Sequence, residues 1–395
     1  MTAPKVLHVV GVLDRWAVEA WLLRMLAHAR HRGEPLDWSF YCAFAIDGSR
    51  DGEARALGAR VIRSPVEIGD KLAFARALRA ELAQGRYDVL HCHHDLISGV
   101  YLAAAAGLPI RSRLVHAHNA DEAVLTPSPL KQAVLKPALR QVCLTLADKI
   151  VANSEHSLRT MLGGRPIDPA RHHVNYYGID PGPFAAAKVD RTAFRRGLDL
   201  GEDAPILLFA GRMTPEKNPV FVVDVLAALR RRIPAAVAVF AGAGDLADAV
   251  RARAEELGQT PAVRLLGWRD DVADVMCACD WFILPHPHAP MEGFGIAVVE
   301  AQLAGLRLLL SLGVSDAPIL PGAAWRRLAL DQGAERWAAA ATELWNAPAP
   351  GRDSALAALR ASPMDLDRAL EDLMALHGGQ VADPPSLRVE ARGAA

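Results

Sequence analysis

Two carboxylates, Glu292 and Glu300, stand eight positions apart in Met291-Glu-Gly-Phe-Gly-Ile-Ala-Val-Val-Glu300, and the run between them reads as a glycine-containing loop entering a helix. A helix N-terminus gathers unpaired backbone N–H groups and partial positive charge, so Gly293, Phe294 and Gly295 are placed to meet anionic or hydroxyl oxygens. The two glycines let the backbone come close. Glu292 is expected at the mouth of the loop and Glu300 about two helical turns on, where a carboxylate accepts hydrogen bonds from the vicinal hydroxyls of a ribose. That chemistry suits a nucleotide sugar. A basic constellation lies upstream in Phe209-Ala-Gly-Arg-Met-Thr-Pro-Glu-Lys-Asn218, directly after a strand-like run. Arg212 can bind two phosphate oxygens at once and Lys217 supplies a compact point charge, so together they would stabilise charge growing on a departing diphosphate.

The elements that must position these groups alternate short β-branched runs with amphipathic stretches of helix length. Strand candidates are Lys5–Leu13, Ser39–Ala45, Ala59–Ser64, Asp88–His93, Arg113–His118 and Lys149–Ser154, then a second series at Pro205–Gly211, Ala236–Gly242, Val263–Gly267, Trp281–Pro285 and Leu306–Ser311. This is the pattern of an α/β protein with two doubly wound parallel sheets, and ligands of such sheets gather at the carboxyl ends of the strands. A chain of 395 residues exceeds what one core normally serves. The segment Tyr176-Tyr-Gly-Ile-Asp-Pro-Gly-Pro183 is rich in Gly and Pro where the chain must cross between the halves. A helix-like end runs from about Ala355 to His377, and Gln380–Ala395 reads as a disordered tail.

Glu292 to Glu300, continued by Glu300-Ala-Gln-Leu-Ala-Gly305, resembles the E-x7-E signature of the retaining GT-B glycosyltransferases of family 4. Gly211-Arg-Met-Thr-Pro-Glu-Lys-Asn218 resembles that family's G-R-x-x-x-E-K-[GN] segment, whose Arg and Lys hold the donor diphosphate. The resemblance covers most of residues 5–375 and implies a GT-B fold of two Rossmann-like domains facing a cleft. It places an acceptor-side domain at 1–180, a donor domain at 181–360, a helix packing back on the first domain at 361–377 and a disordered tail at 378–395. Donor contacts implied by it are Gly211, Arg212, Lys217, Gly242, Trp268, Arg269, Glu292, Gly293, Phe294, Gly295 and Glu300. Glu292 would touch the hydroxyls of the transferred sugar. Gly242 belongs to Val239-Phe-Ala-Gly-Ala-Gly244, where glycines admit close approach, and Trp268 and Arg269 border the nucleobase in Leu266-Gly-Trp-Arg-Asp-Asp271. Trp268 reads equally as core packing.

In the first half, Val115-His-Ala-His-Asn119 ends a strand, and His118 aligns with the family histidine that faces the transferred sugar. With Arg212, Lys217 and Glu292 it completes the expected catalytic set. His116 is read as structural and turned to the opposite face. His91-Cys-His-His-Asp95 resembles the H-x-H segment lining the acceptor side, which assigns His93, Asn119 and Glu19 to that side. Clustered imidazoles invite a metal, but the diphosphates of GT-B donors are met by protein cations and helix ends, so no metal and no cofactor are expected. One departure stands out. Where the family commonly has R-G-G-x-E, this chain reads Asp14-Arg-Trp-Ala-Val-Glu19, and Trp16 and Ala17 replace both glycines. Acceptor choice, loop geometry and even activity are open to change there.

Lys plus Arg number 44 against 45 Asp plus Glu, so net charge is −1 and a nucleic-acid partner is not expected. The five cysteines are scattered in apolar runs and read as reduced core residues of a cytoplasmic protein. Neither a signal peptide nor a membrane span is expected. Leu130-Lys-Gln-Ala-Val-Leu-Lys-Pro-Ala-Leu-Arg140 mixes apolar and basic residues, interrupted by Pro137, and reads first as an amphipathic surface helix and second as a peripheral contact with the inner membrane face. The resemblance thus implies retaining transfer of a hexosyl unit, UDP-linked, to a saccharide, lipid-linked or small-molecule acceptor, in cell-surface polysaccharide assembly. Natural-product glycosylation and a non-catalytic GT-B scaffold subunit are the alternatives.

Overall fold

A computed structural model describes residues 3–119, 128–288 and 291–378. The chain divides into two compact units, one formed by residues 1–178 together with 363–395 and the other by 179–362.

Unit 1 carries a seven-stranded sheet of β1 (Lys5–Val10), β2 (Asp37–Cys42), β3 (Arg60–Arg63), β4 (Val89–Cys92), β5 (Ser112–Ala117), β6 (Lys149–Ala152) and β7 (His172–Val174). Their order is β3-β2-β1-β4-β5-β6-β7, with every pairing parallel. Reversal of strand order between β1 and β4 creates a switch point at the carboxyl edge. Unit 2 repeats the plan with β8 (Ile206–Ala210), β9 (Val237–Ala241), β10 (Val263–Gly267), β11 (Trp281–Leu284), β12 (Arg307–Ser311) and β13 (Trp325–Leu328) in the order β10-β9-β8-β11-β12-β13. Strands β8, β9, β11 and β12 are buried along their whole length, as expected of central strands covered on both faces. The switch point of unit 2 lies between β8 and β11.

The strand series read from the sequence omits β7 and β13. Both are short edge strands with polar or charged residues, His172-His-Val and Trp325-Arg-Arg-Leu, and neither shows the apolar run of an interior strand.

Alternation along the unit 1 strands separates two very different faces. Leu7, Val9, Leu90, Cys92, Val115 and Ala117 join the apolar core on one side. The residues between them, His8, His91, His93 and His116, point the other way and are buried, as is His118 just beyond β5. That second face is covered by α1 (Ala17–Arg32), through Trp21, and by the C-terminal helix, which contributes a sixth buried histidine, His377. His116 and His118 are two residues apart and therefore share a face, with ring centroids 4.2 Å apart, which corrects the expectation that they oppose one another.

Two helix boundaries also differ from expectation. Pro137 lies inside a continuous helix, α2 (Pro129–Leu146), and does not interrupt it. The expected single C-terminal helix is two, Arg352–Arg360 and Leu366–Gly378, separated around Pro363 and restarted where Asp365 Oδ1 accepts the backbone N–H groups of Asp367 and Arg368. The second of these packs on α1 through Arg32 with Asp367 (2.7 Å) and Glu371 (3.2 Å), while Arg111 and Lys149 donate to its last carbonyls at His377 and Leu376. Of the expected tail, residues 379–395 lie outside the described residues. All five cysteines are buried, and none is joined in a disulfide. Among the described residues no helix is long and apolar enough to cross a membrane.

Candidate functional site

Unit 2 brings the basic and acidic segments together at its switch point. Beyond β8, the loop from Gly211 leads through a short turn, Pro215–Lys217, and Asn218 adopts a left-handed conformation (φ 50°) that starts α3 (Pro219–Arg230). Beyond β11, Glu292 donates its backbone N–H to the Gly313 carbonyl (2.8 Å), and Gly295 (φ 78°) starts α4 (Ile296–Leu303) with Phe294 buried beneath it. The two loops meet in an ion pair between Lys217 Nζ and Glu292 Oε2, both largely shielded from solvent. Burial and the Arg212 guanidinium push the Lys217 ammonium down to about 8, opposed by Glu216, and the touching Glu292 carboxylate acts in the same sense as Glu216. Arg212 is more exposed and lies 3.7 Å from Glu216.

His286, two residues past β11, is a member of this site that the sequence reading missed. Its Nδ1 faces the Pro287 carbonyl at 3.0 Å and its Nε2 lies 3.8 Å from the Glu292 carboxylate. Burial holds the ring below the ordinary histidine value. Its signal was a strand-end histidine, the same logic that singled out His118.

Gly242 and Gly244 face protein backbone. A Cβ on Gly242 would stand 1.9 Å from the Gly211 carbonyl oxygen, and one on Gly244 2.6 Å from that of Met213. Gly211 donates to Ala241 (3.0 Å), Met213 to Ala243 (2.9 Å) and Gly242 to Gly267 (2.8 Å), so these glycines bind the loops after β8, β9 and β10 into one ledge. Trp268 leaves that ledge with 49% of its surface exposed, which excludes core packing, and its Nε1 donates to Asp270 (3.3 Å). Arg269 pairs with Asp271. Glu300 lies on α4, two residues before Gln302, whose buried amide bonds Val298, Pro318 and Leu320 and so moors the helix to the following loop.

In unit 1 the expected acceptor-side residues also collect at the carboxyl edge. Asp95, left-handed at φ 42°, accepts the backbone N–H groups of His118 (2.8 Å) and Asn119 (3.3 Å) and the Asn119 side chain (2.6 Å). Both nitrogens of His118 are engaged, Nε2 with His93 (3.0 Å) and Nδ1 with the Tyr177 hydroxyl (2.7 Å), and the residue is only 6% exposed. His93 is tied at its other nitrogen to His8 (3.0 Å). Burial lowers His118 to about 3 and holds His93 well below the ordinary value, so these imidazoles are neutral. Either ring would have to give up an internal bond to meet a sugar. Glu19 is buried in the first turn of α1, and burial raises its carboxyl to about 7 against hydrogen bonds from its own and the Gly11 backbone. Trp16 occupies the N-cap of α1 half exposed, with no side-chain cap.

A family model described as Glycosyltransferase Family 4 matches residues 18–182, and one described as Glycosyl transferases group 1 matches 190–319. The chain belongs to the family 4 glycosyltransferases. Among relatives of this glycosyltransferase, a D-inositol 3-phosphate glycosyltransferase of Mycobacterium leprae is 29% identical over 321 residues, 75% of this chain and 72% of that protein. The UDP-Gal:alpha-D-GlcNAc-diphosphoundecaprenol alpha-1,3-galactosyltransferase of Escherichia coli is 27% identical over 240 residues, 58% of this chain and 59% of that one. The crystal structure of Anabaena HepE in complex with UDP superposes with a TM-score of 0.76 at 17% identity, covering 95% of this chain and 100% of that chain. That last likeness is one of GT-B fold. In this glycosyltransferase, the two sequence segments that resemble the family signatures are the two that the Lys217–Glu292 pair joins.

Proposed function

We propose that this glycosyltransferase moves a hexosyl unit from a UDP-hexose to an acceptor hydroxyl with retention at the anomeric carbon. The Lys217–Glu292 contact carries the reading: a shielded cation and a carboxylate lie side by side at the unit 2 switch point, where a diphosphate and a sugar hydroxyl would need them. Arg212 and Lys217 take the donor diphosphate, the Gly293–Gly295 turn at the head of α4 adds backbone donors, and Glu300 takes the ribose hydroxyls. Engagement of Lys217 by the diphosphate releases Glu292 to the hydroxyls of the transferred sugar. Trp268, exposed on the ledge, offers a stacking face to the base. A diphosphate oxygen accepts the acceptor proton as the new glycosidic bond forms on the face the nucleotide leaves. UDP as nucleotide is supported by the complexes of fold-related HepE with UDP and UDP-glucose.

We assign acceptor recognition to the carboxyl edge of unit 1 and place the reaction in cell-surface polysaccharide assembly, supported by the E. coli relative named for a lipid-linked diphosphate saccharide. A lipid-borne acceptor is further supported by α2, where Leu130 and Val134 are exposed beside Lys136. Trp16 at the N-cap of α1 narrows the acceptors that fit. The test is turnover of UDP-, GDP- and ADP-hexoses with lipid-diphosphate saccharides, inositol phosphate and aglycones, repeated on Lys217→Ala and Glu300→Ala. Transfer from one UDP-hexose with retained configuration, lost in both variants, supports the reading. Turnover unchanged in the variants refutes the site, inversion refutes the stereochemistry, and silence with no nucleotide binding favours the scaffold alternative.

A further inference from the structure

Six buried imidazoles gathered on one face of a sheet are an odd way to fill a protein core. Replacing them with apolar side chains would avoid the cost of burying polar atoms without partners. Three such atoms exist on this face: His8 Nε2, His116 Nε2 and His377 Nδ1 are buried without a hydrogen-bond partner. Two triads, His8 with His91 and His93, and His93 with His116 and His118, each bring one ring nitrogen per residue within 4.8 Å of the other two.

We propose that His93, His116 and His118 form a binding site for one divalent first-row transition-metal ion, of the zinc, cobalt or nickel class. Each ring has one nitrogen held by a partner outside the triad. His93 Nε2 meets His8 Nδ1 (3.0 Å), His116 Nδ1 meets His91 Nε2 (3.3 Å) and His118 Nδ1 meets the Tyr177 hydroxyl (2.7 Å). This is the outer-shell arrangement that fixes tautomers in histidine metal sites, because the bonded nitrogen carries the proton and the other keeps its lone pair. The nitrogens left to face the ion are His93 Nδ1, His118 Nε2 and the orphan His116 Nε2. His93 Nδ1 and His118 Nε2 are 3.0 Å apart. Tetrahedral coordination at bonds of ~2.0–2.1 Å needs ligand nitrogens about 3.3 Å apart, so the pair opens only slightly to admit an ion. His118 (6% exposed) and His93 (3%) lie nearest the surface at the carboxyl edge, whereas His8, His91 and His116 are fully enclosed, so the outer triad is the one closer to solvent. Asp95 accepts the His118 backbone N–H (2.8 Å) and so holds that residue in place at the end of β5. An ion here would clamp the ends of β4 and β5.

The test uses the full chain stripped with a chelator, reloaded with Zn²⁺ or Co²⁺ and freed of excess metal by gel filtration. Elemental analysis gives the stoichiometry, and the Co²⁺ ligand-field spectrum gives the geometry. One ion per chain in a tetrahedral field is expected, with retention lost in H93Q and H116Q, which remove ligands, and about tenfold weaker but not abolished in H8Q, which removes only the outer-shell partner of His93. No retained metal by the wild-type chain, an octahedral Co²⁺ spectrum, or retention that survives H93Q and H116Q would overturn the site. Loss in H8Q with retention in H116Q would overturn it too, by moving the ion to the inner triad. Circular dichroism establishes that each variant is folded. Should one fail to fold, the wild-type stoichiometry and spectrum still decide, and donor binding in unit 2 is independent of the result.

Discussion

Burial sets the Glu19 carboxyl at about 7 from an ordinary value of 4.5, and this gives unit 1 a measurable dependence on pH. A folded-state pKa above the unfolded one means the folded chain holds the proton more tightly. The associated stability is complete below about pH 4.5 and is lost as pH rises towards 7, at about 1.4 kcal/mol for each pH unit, or about 3 kcal/mol in all. Glu19→Gln keeps the shape and an acceptor for the Gly11 N–H but cannot ionise. The difference in unfolding free energy between E19Q and the wild type should therefore be near zero at pH 4, climb through pH 5–7 and level off with the variant about 3 kcal/mol more stable at pH 8. Urea denaturation followed by circular dichroism at several pH values reads this directly, and taking the difference cancels every other titrating group. A difference flat with pH, or one that favours the wild type at pH 8, would refute the reasoning by showing that the carboxylate is stabilised where it lies.

Three further outcomes follow from unit 2. Glu292→Gln removes the carboxylate that holds Lys217, so UDP should bind about fivefold more tightly by calorimetry, for a shielded pair worth about 1 kcal/mol, while sugar transfer falls. Gly242→Ala drives a Cβ into the Gly211 carbonyl and should lower unfolding free energy by more than about 2 kcal/mol in urea titrations. Trp268→Ala, at a half-exposed position, should change thermal stability by less than about 0.5 kcal/mol yet weaken UDP binding about fivefold if the indole stacks on the base.

The α/β rhythm and the doubly wound order were legible because interior strands such as Ile206–Ala210 and Trp281–Leu284 are unbroken apolar runs. Edge strands β7 and β13 were not, since half-exposed edges carry polar residues and lose that signal. The donor-side loops announced themselves through glycine, charge and strand-end position, but the Lys217–Glu292 pairing joins residues 75 apart and needed the fold. Gly242 shows the limit of a turn motif, because glycine spacing reveals that backbones come close without saying whether the neighbour is ligand or protein. The histidine face was hidden for another reason. Its members come from three strands and from a helix whose His377 is 286 residues from His91, and each is ordinary beside its own sequence neighbours.

The helix that closes the histidine face is the last described element of the chain, whereas the strands it covers are among the first. On the ribosome, unit 2 emerges as one uninterrupted stretch and can fold as it appears, but unit 1 must wait for residues 363–378 with its imidazoles uncovered. Synthesis order thus leaves the earlier-made unit as the later one to mature, and a premature stop near Pro363 should leave unit 2 folded and unit 1 open to proteases.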